Sequence, residues 1–170
     1  MLIIKSFIRT IDQLNDFVGR SVSWLNLVLV LLVCIDVLRR FLFERTDAWI
    51  MELEWHLFAM VFLLGAGYTL KENKHVRVDL FYSQFSEKNK ALINLVGGMV
   101  LLLPLCLLLV YISVQYSYSS YMIGEGSPDP GGLPYRFVIK SMIPFGMFLL
   151  LLQGLSEIAK AFIVYKSTKH

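Results

Sequence analysis

The chain has 170 residues, 56% of them hydrophobic and 17% charged, with a mean hydropathy of +0.63. Soluble domains run at about 45–50% apolar and about 25% charged, so a water-soluble fold of this size could not hide so much apolar side chain, and disorder is excluded by the same composition. A formal charge of +3 would hint at nucleic acid in a soluble protein; in an all-α integral membrane protein the partner it implies is the bilayer, and where the charges fall matters more than their sum.

In chain order, the first segment is amphipathic. Ile4, Phe7, Ile8, Ile11, Leu14 and Val18 recur at helical spacing, with Lys5, Arg9, Asp12, Gln13 and Asp16 on the other faces, which predicts an interfacial helix over residues 1–20. A secretory signal peptide is the rival reading; Asp12 and Asp16 interrupt its apolar core and no small-residue cleavage site follows. Four long runs without Asp, Glu, Lys or Arg come next, and a spanning helix needs about 20 mostly apolar residues. Three of the runs reach that length by borrowing a turn at each end, where charged side chains snorkel. The predicted spans are residues 22–41, 49–70, 91–116 and 141–164, within a single membrane domain over 1–170.

The basic residues set the orientation. With the N-terminus inside, Lys5, Arg9, Arg20, Lys71, Lys74, Arg77, Lys88, Lys90, Lys160, Lys166 and Lys169 are cytoplasmic, against Arg39, Arg40, Arg45, Arg136 and Lys140 outside. Both termini are therefore expected in the cytoplasm. Arg39 and Arg40 weaken the bias, although Asp36, one turn back, is placed to neutralise one of them. Trp24, Trp49 and Trp55 suit an aromatic belt.

No catalytic, metal or cofactor constellation is expected. Cys34 and Cys106 lie within spans without metal-ligand or redox spacing. His56 and His75 are 19 residues apart, about 28 Å along a helix, too far to ligate one haem, and His56 is expected to pair with Glu52 one turn earlier. Glu52 and Glu54 are the acidic residues most deeply placed in a span, which makes them functional suspects. The plainer reading is that Asp47 caps the second helix and both glutamates sit where its dipole favours negative charge. Asn94 and Gln153 are expected to hydrogen-bond between helices. Gly65 with Thr69, Gly97, Gly98, Gly146 and Gly154 offer close approach, while Pro104 and Pro144 are expected to bend the third and fourth helices.

Two hydrophilic segments have defined character. In the inner one, Gly65 to Asp79, Arg77 and Asp79 alternate with Val76, Val78 and Leu80, which suggests an extended entry into a short interfacial helix. The outer one, Glu125-Gly-Ser-Pro-Asp-Pro-Gly-Gly-Leu-Pro134, has a proline- and glycine-directed path. Such a shaped loop suits docking, and loop geometry alone accounts for it equally well.

Together these segments resemble the small membrane subunit of tripartite ATP-independent periplasmic (TRAP) transporters, the DctQ-like family. The resemblance rests on Glu52-Leu-Glu-Trp55 at the start of the second helix, Leu64-Gly-Ala-Gly-Tyr68 at its exit, and His75-Val-Arg-Val-Asp79 beyond. The Gly131-Gly-Leu-Pro134, Lys140 and Ile143-Pro144 pattern leads into the fourth helix; the likeness runs from about Val22 to Gly154. It implies a non-enzymatic permease subunit in a bacterial inner membrane. A large DctM-like subunit would translocate a small organic anion (carboxylate or sulfonate), coupled to sodium ions bound in that subunit, after delivery by a periplasmic DctP-like protein. Candidate partner-facing residues are then Glu52, Glu54, His75, Arg77, Asp79, Glu125, Asp129 and Lys140. Two alternatives remain: a membrane anchor for a redox enzyme, and a small homodimeric transporter using Glu52 or Glu54 as its coupling carboxylate.

Overall fold

The computed structural model describes residues 2–72 and 85–167. Every regular element among them is helical, and four helices are long and apolar enough to cross a membrane. We label them α1 (Leu2–Phe43), α2 (Ala48–Lys71), α3 (Glu87–Met122) and α4 (Phe137–Ser167). The chain reverses after each, so both described chain ends lie at one end of the molecule, the termini end, and the 44–47 and 123–136 connections at the other, the loop end.

The helices form a row. α4 packs along both α2 and α3, α1 packs along α2, and α1 and α3 flank the row without extensive contact with each other. The two middle helices have 28% and 33% of their apolar windows buried, against 11% for α1 and 6% for α3. A membrane permits this openness because lipid solvates apolar side chains as well as protein does, so close packing is driven by small residues and polar contacts. Gly146 brings α4 onto the backbone of α2 at Leu63, and Gly154 faces Leu102 of α3. Ser113, Ser117 and Ser120 of α3 are buried. The first two satisfy their hydroxyls on carbonyls of their own helix, as buried hydroxyls must in an apolar surrounding.

α1 corrects the first expectation. Residues 1–20 do not form a separate interfacial helix: Leu2–Phe43 is one uninterrupted helix of 42 residues. Its first half is also not laid apolar-side-in. Of the expected apolar stripe Ile4, Phe7 and Leu14 are exposed, Ile8 and Val18 half-buried and Ile11 buried, whereas Asn15 is fully buried, and Asp12 and Asp16 are bonded to α4 and α2. The packing face is mixed: Ile11, Gly19 and Val22 are buried beside Asn15, and Asp12 and Asp16 turn inward with them because the other helices carry their partners.

α3 and α4 each extend beyond the predicted spans, and α3 is irregular. A π-helical turn covers Gly98–Leu102, with the Leu103 amide reaching back to the Gly98 carbonyl. Pro104 stands just beyond. It has no N–H to donate and its ring would crowd the carbonyl four residues back, and a π turn relieves both problems. α4 runs through Pro144 as continuous helix.

Candidate functional site

The charged and polar residues converge in two places, one at each end of the row. At the loop end the centre is Glu52, in the second turn of α2 and only 4% exposed. Its carboxylate accepts hydrogen bonds from the Ser127 hydroxyl (2.5 Å), the Leu133 amide (2.5 Å) and the Arg136 guanidinium (3.1 Å). All three donors lie on or next to the loop before α4, so one carboxylate shapes that loop. The loop completes the fit with its own bonds: Ser127 N–H to Leu133 O, Gly132 N–H to Asp129 O, and Arg136 N–H to Glu125 O. Gly132 is required, since a β-carbon there would collide with Ser127 and stand 2.8 Å from Glu52 Oε2. Gly131 and Tyr135 take positive φ values of 78° and 61°. For glycine this conformation is free, but for an aromatic residue it is an outlier, held here by the bonds on either side.

A second pair ties the same loop to α4. Lys140 donates to Glu125 and lies 4.1 Å from the centre of the Tyr116 ring of α3. The Lys140 ammonium holds the Glu125 carboxyl below its ordinary range. Beside it, Trp55, Thr46, Asp129, Pro130 and Arg136 line a shallow recess, with the Arg136 guanidinium carbon 5.8 Å from the Trp55 ring centre.

At the termini end three helices meet through side chains. Asp12 Oδ1 accepts from Gln153 (2.9 Å), Ser156 (3.1 Å) and Lys160 (3.0 Å). Gln153, fully buried, also donates to Glu157 (2.9 Å) and accepts from Asn15 (2.9 Å). Lys160 joins Glu157 at 2.8 Å, and Lys71 of α2 donates to Asp16. Asn15 lies against Gly67 of α2, where a β-carbon would meet its side chain.

The predicted residues divide accordingly. Glu52, Glu125 and Lys140 are brought together around one loop. Asp129 is exposed and contributes through its backbone, its N–H donating to Ser127 Oγ. Glu54 takes no part: it is half-buried on another side of α2, with one carboxylate oxygen enclosed and without a donor. His75, Arg77 and Asp79, and the extended entry expected there, lie outside the described residues. His56 bonds the Glu52 backbone oxygen through Nδ1 rather than its carboxylate, because the loop already occupies the carboxylate. Asp47 holds the N-cap position of α2 but makes no side-chain cap bond; its carboxylate is paired with Arg39. Arg40 pairs with Asp36 as the one-turn spacing requires. Ser127, Arg136, Asp12, Asn15 and Lys160 were not singled out by sequence reasoning; their partners are remote in the chain and no local pattern marks them.

Among the described residues no group of three or more His, Cys, Asp or Glu side chains could hold a metal ion. Both polar centres join helix to helix or helix to loop, and their charges are consumed in doing so. Fold and sites thus define a multi-pass, all-helical membrane protein whose polar groups fasten its own elements. The chain matches the family of tripartite ATP-independent periplasmic transporters, DctQ component, over residues 29–163, and it belongs to that family. No curated protein matches it. The family is a transporter component, a small permease subunit.

Proposed function

We propose that this chain is the scaffold of a TRAP-type secondary transporter. It supports a large DctM-like membrane subunit, which translocates a small organic anion delivered by a DctP-like periplasmic binding protein and binds the coupling sodium ions. It lies in the bacterial inner membrane with both termini cytoplasmic, an orientation supported by the excess of Lys and Arg at the termini end. The 123–136 loop then faces the periplasm, ready to meet the binding protein.

The observation that carries this reading is the open row of helices. A transporter working alone places its substrate between broken helices near the midplane, with polar groups aimed at it. In this chain the intramembrane polar groups of both centres are engaged with one another, and the flanking helices α1 and α3 leave wide apolar faces for a larger partner. Membranes solubilised in mild detergent should yield, on a tag attached to this chain, a second and larger multi-span protein. Recovery of the chain alone, with organic-anion uptake unchanged on its deletion, would overturn the proposal.

A further inference from the structure

Contacts between neighbouring helices fix which residues stand at one height. Gly19 of α1 abuts Tyr68 of α2, Gly67 abuts the Leu149 carbonyl of α4, and Gly154 abuts Leu102 of α3. The same offsets recur, to within about two residues, at other heights: Asp16 with Lys71, Glu52 with Arg136, and Lys140 over Tyr116. The helices therefore run side by side over most of their lengths, and a height on one can be carried across the row.

Carried across, the charge-free runs do not line up. Arg20, the last charge before the run of α1, stands level with Leu107 of α3, inside a run that extends back to Lys90. From Leu107 to Lys90 is 17 residues, about 25 Å of helix. Lys71 of α2 and Glu157 of α4 close their runs at intermediate heights, so the termini-end boundary steps from helix to helix in one direction. The loop-end boundary steps the same way. Asp36 closes the run of α1 level with Met122 of α3, whereas α3 turns polar at Gln115, 7 residues earlier. The exposed Tyr116, Tyr118 and Tyr121 beyond it suit an aromatic belt. An upright bilayer cannot serve both flanking helices. Centred on the run of α1, it would leave Leu92, Ile93, Val96, Val100 and Leu101 of α3, which are 41–70% exposed, outside the hydrocarbon. Centred on α3, it would place the exposed Arg9, Gln13 and Arg20 within it, at a high cost.

We propose that the bilayer crosses the helix row obliquely, its normal inclined by about 35° to the helix axes. The two boundaries shift by about 18 Å on average across roughly 25 Å, three helix spacings of about 8–10 Å, which sets that slope. The surface that meets lipid is a slanting band, bounded on α1 by Arg20 and Asp36 and on α3 by Lys90 and Gln115. Its partner is hydrocarbon chain, because both sets of residues then fall on the side their chemistry requires. Ala91–Val114 of α3 is 24 residues, about 36 Å, the length that this inclination needs to cross a ~30 Å core. Headgroups of one leaflet stand beside Arg20 at one edge of the row and beside Lys90 at the other. The oblique seat does not depend on the transporter assignment.

The test uses the full chain in phosphatidylcholine vesicles, with Cys34→Ala and Cys106→Ala and a bimane fluorophore on one introduced cysteine. Gln13→Cys and Met99→Cys probe one height, since Asp12 bonds Ser156 while Gly98 abuts Ile158; Ile35→Cys and Tyr121→Cys probe another. All four positions are exposed. The probes at 99 and 35 should be quenched by acyl-brominated lipid. Those at 13 and 121 should be quenched by iodide present on both faces, each with a preference of about tenfold or more, because an ion does not enter hydrocarbon. Members of a pair quenched alike by the same agent would overturn the oblique seat. Infrared dichroism of the unsubstituted chain in aligned bilayers needs no variant. A mean helix inclination of about 35° is expected, and one at or below the ~20° usual for membrane helices overturns the proposal.

Discussion

The two ends of the helix row solve the same problem in opposite ways. At the loop end a single carboxylate, Glu52, gathers three donors that lie within ten residues of one another on the 123–136 loop and its margin. At the termini end the charges are spread over α1, α2 and α4, with Asp12 and Gln153 each serving several partners. The first arrangement concentrates its stability in one residue and spends it on the shape of a loop. The second distributes stability and spends it on the register of helices. Damage should therefore be severe and local at the loop end, moderate and shared at the termini end.

Glu52→Ala is the sharpest way to test this contrast. It leaves Ser127, the Leu133 amide and the half-buried Arg136 without their acceptor, a loss of about 3 kcal/mol at roughly 1 kcal/mol for each hydrogen bond. Thermal unfolding in detergent should show it, and hydrogen exchange should rise in residues 123–136 while the first half of α1 stays protected. Gln153→Leu should cost about 1–3 kcal/mol by stranding Asn15 and weakening Asp12. Its exchange signature should be the reverse, with the N-terminal half of α1 opening and the loop unchanged; equal opening of both regions in either variant would dissolve the contrast. Ser156→Ala removes one of several donors to Asp12 and should cost only about 0.5–1.5 kcal/mol, measurable as a small drop in Tm.

The smallest effect is electrostatic. Glu125 has a folded pKa depressed below its ordinary 4.5 by Lys140, so its contribution is fully present above the ordinary value and is lost as pH falls through the folded one. Wild-type protein minus Glu125→Gln should show a constant difference in Tm above about pH 5 that vanishes in acid. A difference that grew on acidification would reverse the assigned sign.

The spans were legible because apolar run length speaks directly to bilayer thickness. Some of the close approaches were legible too, at Gly98, Gly146 and Gly154, because small residues within an apolar run have few other uses. The inward turn of three polar residues of α1 was not. Asp12, Asn15 and Asp16 at helical spacing point to water unless their partners are known, and Lys160 and Gln153 lie at the far end of the sequence. Glu52 was singled out, but its role as the anchor of a loop was hidden for the same reason: its donors follow it by 75 to 84 positions. Asp47 shows the converse, a local rule that located the helix start correctly while Arg39 claimed the side chain meant to cap it.

The π turn in α3 has a consequence for phase. The side of α3 turned toward α4 is marked by Ala91 and Gly98, seven apart, and then by Cys106, Ser113 and Ser120, again seven apart. Between Gly98 and Cys106 the interval is eight. The additional residue is the one the π turn absorbs, so it works as a skipped tooth that keeps two seven-residue screws meshed with the same neighbour. Without it, every serine beyond Cys106 would be rotated by about 100°, and the small, polar seam that lies against α4 would be turned out to the lipid.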